Sequence, residues 1–293
     1  MKHKSLSLFV CSLLLSSCTN FFSAINFRPS PKVHEIAFSD DAPNPAYRFF
    51  YSDTLNNTYL RTLRQDYALD KLVATAASEL DTIKLILGWS SAQWEHNGSN
   101  TPSKSDALTI LEEAKNGSQF RCVEYGILAV ASLNAVAIPA CPLSIKTRDV
   151  AKVRSGAGHV VTEVYSASFN KWIFIDPQFN VMPLKNGIPL NAVEFQQAIY
   201  NKEALTLVNN DGLVDDDVAK SYLKWIGKYL YFFDITFDQR VGEEKKLQTF
   251  EGKTKLMLVP ASAENPTTFQ RSSKINYCIY THSLADFYRK PSN

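Results

Sequence analysis

Residues 116–178 decide how this chain folds. Three segments of that stretch carry the reading: Phe120-Arg121-Cys122-Val123-Glu124-Tyr125, Gly156-Ala157-Gly158-His159-Val160-Val161-Thr162-Glu163-Val164-Tyr165, and Lys171-Trp172-Ile173-Phe174-Ile175-Asp176-Pro177. From Cys122 to Ala137 the residues are almost wholly apolar, which predicts a helix buried on most sides, stopped by Pro139. Residues 160–165 alternate, and 172–175 are a β-rich run, so two strands follow. A cysteine therefore opens a buried helix, a histidine opens a strand, and an aspartate closes the next strand. In that order they supply a nucleophile, a base and an orienting group.

Geometry sharpens the expectation. If residues 166–169 form a four-residue hairpin loop, Tyr165 faces Asn170, Glu163 faces Trp172 and His159 faces Asp176. Directly opposite residues project from one face about 5 Å apart, close enough for a carboxylate to hold an imidazole. Cys122 sits where a helix N-terminus favours negative charge, and a neighbouring imidazolium lowers a thiol pKa from ~8.5 into the range of roughly 3.5–7.5. Arg121 is placed to add to the positive field, and first-turn backbone N–H groups are natural oxyanion donors. Each residue alone has a plainer reading. A cysteine in an apolar helix is most often a small core residue, a histidine after Gly-Ala-Gly a turn residue, and Asp-Pro a turn start. The arrangement in order, on suitable elements, is what points to thiol chemistry.

The flanks set the context. The chain has 293 residues, 45% hydrophobic and 20% charged, ordinary for a globular protein with a real core. Its 18 Phe and 13 Tyr favour sheet-rich packing. A net charge of +2 gives no footprint for nucleic acid. Lys2, His3 and Lys4 precede a short apolar run, Leu6 to Leu15, about half of the ~20 residues that span a bilayer, so residues 1–17 read as a signal peptide. Leu15-Ser16-Ser17-Cys18 resembles the lipobox of bacterial lipoproteins, in which Cys18 becomes the lipid-bearing N-terminus; an ordinary signal peptide cut nearby is the alternative. The expected location is a bacterial cell-envelope membrane, reached through the lipid. Residues 18–45, with Pro29, Pro31, Pro43 and Pro45, read as a tether. A core follows over 46–200, and a β-rich extension over 201–293 contains strands near 229–237, 255–259 and 275–280. A sustained amphipathic helix is expected over 69–87, then a helix capped by Ser105 and closed by Asn116-Gly117. The acidic segment 211–217 reads as a solvated loop. Without Cys11 and Cys18, the thiols Cys122, Cys141 and Cys278 remain; a Cys141–Cys278 disulfide and three reduced cysteines are both open. No C-x-x-C pair suggests structural zinc, and neither metal nor organic cofactor is expected.

From about Trp89 to Gln178 the chain resembles the transglutaminase-like superfamily, a branch of the papain-like thiol enzymes. The resemblance rests on Cys122, on His159 with Glu163-Val164, on Trp172 ahead of Asp176-Pro177, and on Ile138-Pro139-Ala140. Val123, Val161 and Cys141 depart from residues common in the family. The resemblance implies an α+β papain-like fold, a buried helix packed on an antiparallel sheet, with Cys122, His159 and Asp176 as a catalytic triad. It also implies an upstream Trp or Gln as oxyanion donor, for which Trp94 and Gln93 are both candidates. The expected chemistry is thioester-mediated acyl transfer on a peptide or protein amide, including cell-wall peptide. Hydrolysis is the first expectation; transfer to an amine, and a non-catalytic peptide- or glycan-binding module, are the alternatives.

Overall fold

Side-chain patterning places five helices ahead of the first strand in the computed structural model, which describes residues 33–242 and 246–291. They are α1 (Thr58–Asp66), α2 (Leu69–Val73), α3 (Glu79–Ser91), α4 (Ala107–Lys115) and α5 (Cys122–Ala135). The helix expected over 69–87 is two helices, because Ser78 accepts a hydrogen bond from Asp81 N and caps a new start there. Asp106, not Ser105, caps α4 by accepting from Thr109 N. Gly117 closes that helix at φ +94°, a conformation that favours glycine.

Three strands follow: β1 (Ala140–Lys146), β2 (Gly158–Ser166) and β3 (Lys171–Ile175). Next come β4 (Met182–Lys185), β5 (Ile188–Pro189), α6 (Ala192–Tyr200), β6 (Thr206–Asn209), β7 (Gly212–Leu213) and α7 (Asp216–Ile226). The last part of the chain holds β8 (Phe232–Thr236), β9 (Lys255–Leu258), β10 (Thr268–Phe269), β11 (Ser273–Lys274), β12 (Cys278–Thr281) and α8 (Leu284–Phe287). A six-stranded sheet in the order β12-β9-β8-β1-β2-β3 is the centre of the molecule. It is antiparallel except between β12 and β9. The C-terminal strands expected in an extension thus lie beside β1 in one sheet, and the described residues belong to one compact unit. A smaller sheet, β5-β4-β6-β7, adjoins the end of β3 through hydrogen bonds of Phe174 N to Leu190 O and Asp176 N to Val181 O.

The period of two in each strand divides the core. Val164, Ile173 and Ile175 pack with Ile83, Leu111, Leu128 and Leu133 of the first five helices. Val161, Phe174 and Leu143 pack on the other face with Phe195 of α6 and Tyr222 and Ile226 of α7. Helix α5 is therefore enclosed between sheet and helices, as its uniformly apolar sequence requires. The segment 211–217, expected as a loop, instead closes a tight β6–β7 turn and caps α7 through Asp215, which accepts from Asp217 N and Val218 N.

The β2–β3 hairpin has a different register from the expected one. Tyr165 pairs with Trp172 and Ser166 with Lys171, so the loop is residues 167–170. Asn170 takes the left-handed conformation at φ +51°, which Asn tolerates. Glu79 of α3 holds the turn by accepting from Ser166 Oγ, Ala167 N and Ser168 N. The slip is by an even number of residues and so leaves every side chain on its face. His159 and Asp176 therefore share a face, offset along the strands rather than directly opposed.

The signal peptide and Cys18 lie outside the described residues. Of the expected tether, residues 33–45 are described and touch the folded part: Ile36 is buried, and Ser39 N donates to His282 O at 2.7 Å. No helix among the described residues is long and apolar enough to cross a membrane.

Candidate active site

Cys122 is the first residue of α5. The helix starts there because Arg121 is extended and its N–H donates to Glu124 Oε2 at 3.1 Å, which satisfies one of the free groups at a helix start. The Arg121 guanidinium pairs with the buried Glu124 carboxylate at 2.6 Å. Its charge is paired with Glu124 and also interacts with Cys122. Cys122 is half-buried, whereas Cys141 and Cys278 are buried; all three are free thiols. Cys141 lies on β1 and Cys278 on β12, with β8 and β9 between those strands.

His159 is the second residue of β2 and is buried. Its Nε2 lies 2.8 Å from Asp176 Oδ2. Asp176 is fully buried and held from several sides. Tyr222 Oη donates to Oδ2 at 2.9 Å, while Gln178 N and Phe179 N donate to Oδ1. A carboxylate with four donors keeps one orientation, and with it the imidazole. The ring is enclosed by Trp225, Tyr229 and Phe179 with centroids 4.9, 6.0 and 6.1 Å away. Burial works against the imidazolium. The Asp176 charge and hydrogen bond, then the hydrogen bond and charge of Cys122, outweigh it and raise the His159 pKa to about 9. With Nε2 committed to Asp176, Nδ1 is the nitrogen left to Cys122. Both residues border one cleft of about 230 Å³.

The two upstream candidates have different surroundings. Gln93 Nε2 donates to Trp89 O at 2.7 Å, a bond within its own helix end. Trp94 is buried against Tyr125 and Phe120, at 4.5 and 5.5 Å between centroids. Tyr125 lies one turn beyond Cys122 and donates its hydroxyl to Trp94 O. The Trp94 indole N–H is buried with no hydrogen-bond partner among the described residues, a costly state for a donor.

Several neighbours escape a reading of the sequence. Tyr222 and Trp225 are spaced three apart on α7, a helical signal concealed by the acidic run before them. Tyr229 follows, its phenol raised to about 12 by burial and by the nearby Cys122. His96 lies near enough for the site to act on it. Burial and then the His159 charge lower its pKa, with Asp176 opposing. Glu163, four residues beyond His159 on the same face, is buried and raised to about 8 by desolvation, although Ala192 N and Tyr288 Oη donate to it.

Residues 67–177 match the family model of the transglutaminase-like superfamily. This stretch, about 38% of the chain, is similar to that family's domain. It contains Cys122, His159 and Asp176, and its helices and antiparallel-rich sheet form an α+β fold. No curated relative matches the chain. Among solved structures, a candidate cysteine protease from Cytophaga hutchinsonii aligns at a TM-score of 0.34 and 18% identity over 43% of this chain and 40% of that one. A TGase aligns at 0.29 and 20% over 43% and 34%. A candidate protease from Parabacteroides distasonis aligns at 0.29 and 13% over 52% and 27%. The chain spans less than half the length of each.

Proposed function

We propose that the protein is a thiol-dependent acyl-transfer enzyme that hydrolyses peptide or other amide bonds through Cys122, His159 and Asp176. The observation that carries this reading is the 2.8 Å contact of His159 Nε2 with a fully buried Asp176, which leaves Nδ1 to a cysteine at the head of a buried helix. The Cys122 proton passes to His159 Nδ1, and the thiolate sulfur adds to the amide carbonyl carbon. The C–N bond then breaks as the His159 imidazolium returns that proton to the leaving nitrogen, giving a thioester. Water adds next, its proton goes to His159, and the C–S bond breaks to release the acid and the thiol. Asp176 fixes the ring and stabilises the imidazolium. First-turn backbone N–H groups of α5 receive the oxyanion. Between the two side-chain candidates, Trp94 is favoured over Gln93, because the Gln93 amide is already engaged.

The sequence supports export and attachment to a cell-envelope membrane through a lipid on Cys18. A Cys18→Ser protein is then released from the membrane fraction; full retention contradicts the anchor. The reaction is tested by presenting peptides and cell-wall fragments to wild type and to Cys122→Ala, with and without an added primary amine. New free amino and carboxyl termini made only by wild type are expected. Amine incorporation without hydrolysis identifies a cross-linker instead. Products equal in both proteins remove Cys122 from the reaction.

A further inference from the structure

The cleft that begins at Cys122 ends on charge. Ser144, Lys146, Gly158 and Val160 lie on one face of the β1–β2 pair, and the cleft passes from Cys122 and Val123 over them to Lys255. Phe269 and Tyr277 wall it. A Cβ on Gly158 would stand 3.1 Å from the Phe269 ring, so glycine keeps the passage beneath that ring open. At the far end two ammonium groups share one carboxylate. Lys146 Nζ contacts Asp234 Oδ2. Lys255 Nζ lies 2.7 Å from Asp234 Oδ1 and 3.3 Å from Ser144 Oγ. The Asp234 side chain is fully buried and that of Lys146 is 6% exposed, whereas that of Lys255, at 26%, opens toward the cleft.

Buried ammonium groups are costly unless paired, and here one carboxylate serves two. Burial and repulsion from Lys255 both hold the Lys146 pKa down, to about 7. The other group felt by both lysines is the Cys278 thiol, which burial raises, with Lys146, Lys255 and Lys253 opposing. A second anion would relieve the imbalance. The cleft wall is apolar at Val123, Val160 and Phe269 and cationic at Lys146 and Lys255. We propose that this cleft is a specificity pocket for a carboxylate borne by the residue next to the scissile amide, with the Lys146–Lys255 pair as its receptor. The proposal rests on Cys122 being the reacting thiol for its place in catalysis, but carboxylate binding does not require a reactive thiol.

The test uses the full chain carrying Cys122→Ala, so that ligands are bound and not turned over. Three ligands of one skeleton are titrated while the Gly158 amide resonance is followed: N-acetylglutamate α-amide, N-acetylglutamine free acid and N-acetylglutamine α-amide. Binding of one carboxylate ligand about tenfold tighter than the neutral amide is expected for a charge-assisted contact. Preference for the first assigns a side-chain carboxylate, and preference for the second a chain-terminal one. Adding Lys255→Gln is expected to remove most of that preference, Lys255→Arg to keep it, and Lys146→Gln to give a second independent loss. Equal binding of all three ligands overturns the proposal, as does an unchanged preference in either folded glutamine variant. Failure of wild type to cleave any amide is a separate result, bearing on the proposed reaction and not on this pocket.

Discussion

Replacing Asp176 by Asn tests the site at its most constrained point. In the folded protein Oδ1 accepts from Gln178 N and Phe179 N, while Oδ2 accepts from His159 Nε2–H and Tyr222 Oη. The two backbone donors fix the Asn oxygen at the Oδ1 position, so the new NH₂ points at His159. A donor there requires Nε2 to be bare, which drives the ring proton to Nδ1, the nitrogen that must accept from Cys122. The Asp176 charge and hydrogen bond that raise the His159 pKa to about 9 against burial are lost as well, so the pKa falls toward the ordinary ~6.5, with Cys122 still acting to raise it. A fall from about 9 toward the ordinary ~6.5 corresponds to a loss of imidazolium stabilisation on the order of 3 kcal/mol. With the wrong tautomer added, turnover should drop by about 10²–10⁴-fold while the protein stays folded. His159 ring nitrogens followed by NMR across pH 5–10 give the titration, and single-turnover cleavage gives the rate. A wild-type His159 that titrates near 6.5, or one whose titration is the same in Asp176→Asn, would refute the reasoning.

Glu163→Gln should stabilise the protein at high pH. The folded pKa of about 8 exceeds the unfolded ~4.3, so the native state binds more protons between these values and stability falls as pH rises through that window. The variant removes a loss of up to several kcal/mol above pH 8, with little change near pH 4; parallel stability curves for the two proteins contradict this. Tyr222→Phe removes one of the donors to Asp176 and should cost about 1 kcal/mol of stability, with less than about a tenfold loss of kcat because the other contacts remain; a loss as large as that of Asp176→Asn would show that Tyr222 touches the reacting atoms. Gly126→Ala brings a Cβ within 3.0 Å of Val160 Cγ1, where α5 meets β2, and should lower stability by roughly 1–3 kcal/mol in denaturant titration. An unchanged midpoint would mean that the helix is not seated so closely.

The central helix and the two site strands were legible because their patterns are strong and local. An apolar run with polar residues at its entry, and alternation broken by Ser-Ala-Ser, leave little choice of element. The contact between His159 and Asp176 was legible for a reason less sensitive to detail. A register slip by two residues changes which residue faces which and leaves the face unchanged, so the pair survived a misplaced loop. What sequence did not show depends on distant partners. The turn at residues 167–170 is fixed by Glu79, nearly ninety positions upstream. Tyr222 reaches Asp176 from a helix that follows an acidic segment resembling a loop. Lys146 and Lys255 meet Asp234 only because β8 inserts between β1 and β9, a strand order that periodicity does not encode. The break at Ser78 was readable in principle, since Ser78 followed by Asp81 is a helix-start pattern, but it was concealed by continuous apolar spacing across it.

The central claim is that His159 acts on the Cys122 sulfur, and site-resolved alkylation measures that most directly. Wild type and His159→Ala are treated with iodoacetamide at pH 6, and each cysteine is quantified by peptide mass spectrometry. The account predicts rapid modification of Cys122 in wild type, little at Cys141 and Cys278, and a loss of at least about tenfold at Cys122 in the variant. A wild-type Cys122 that stays unmodified, or one that reacts equally fast without the imidazole, contradicts it.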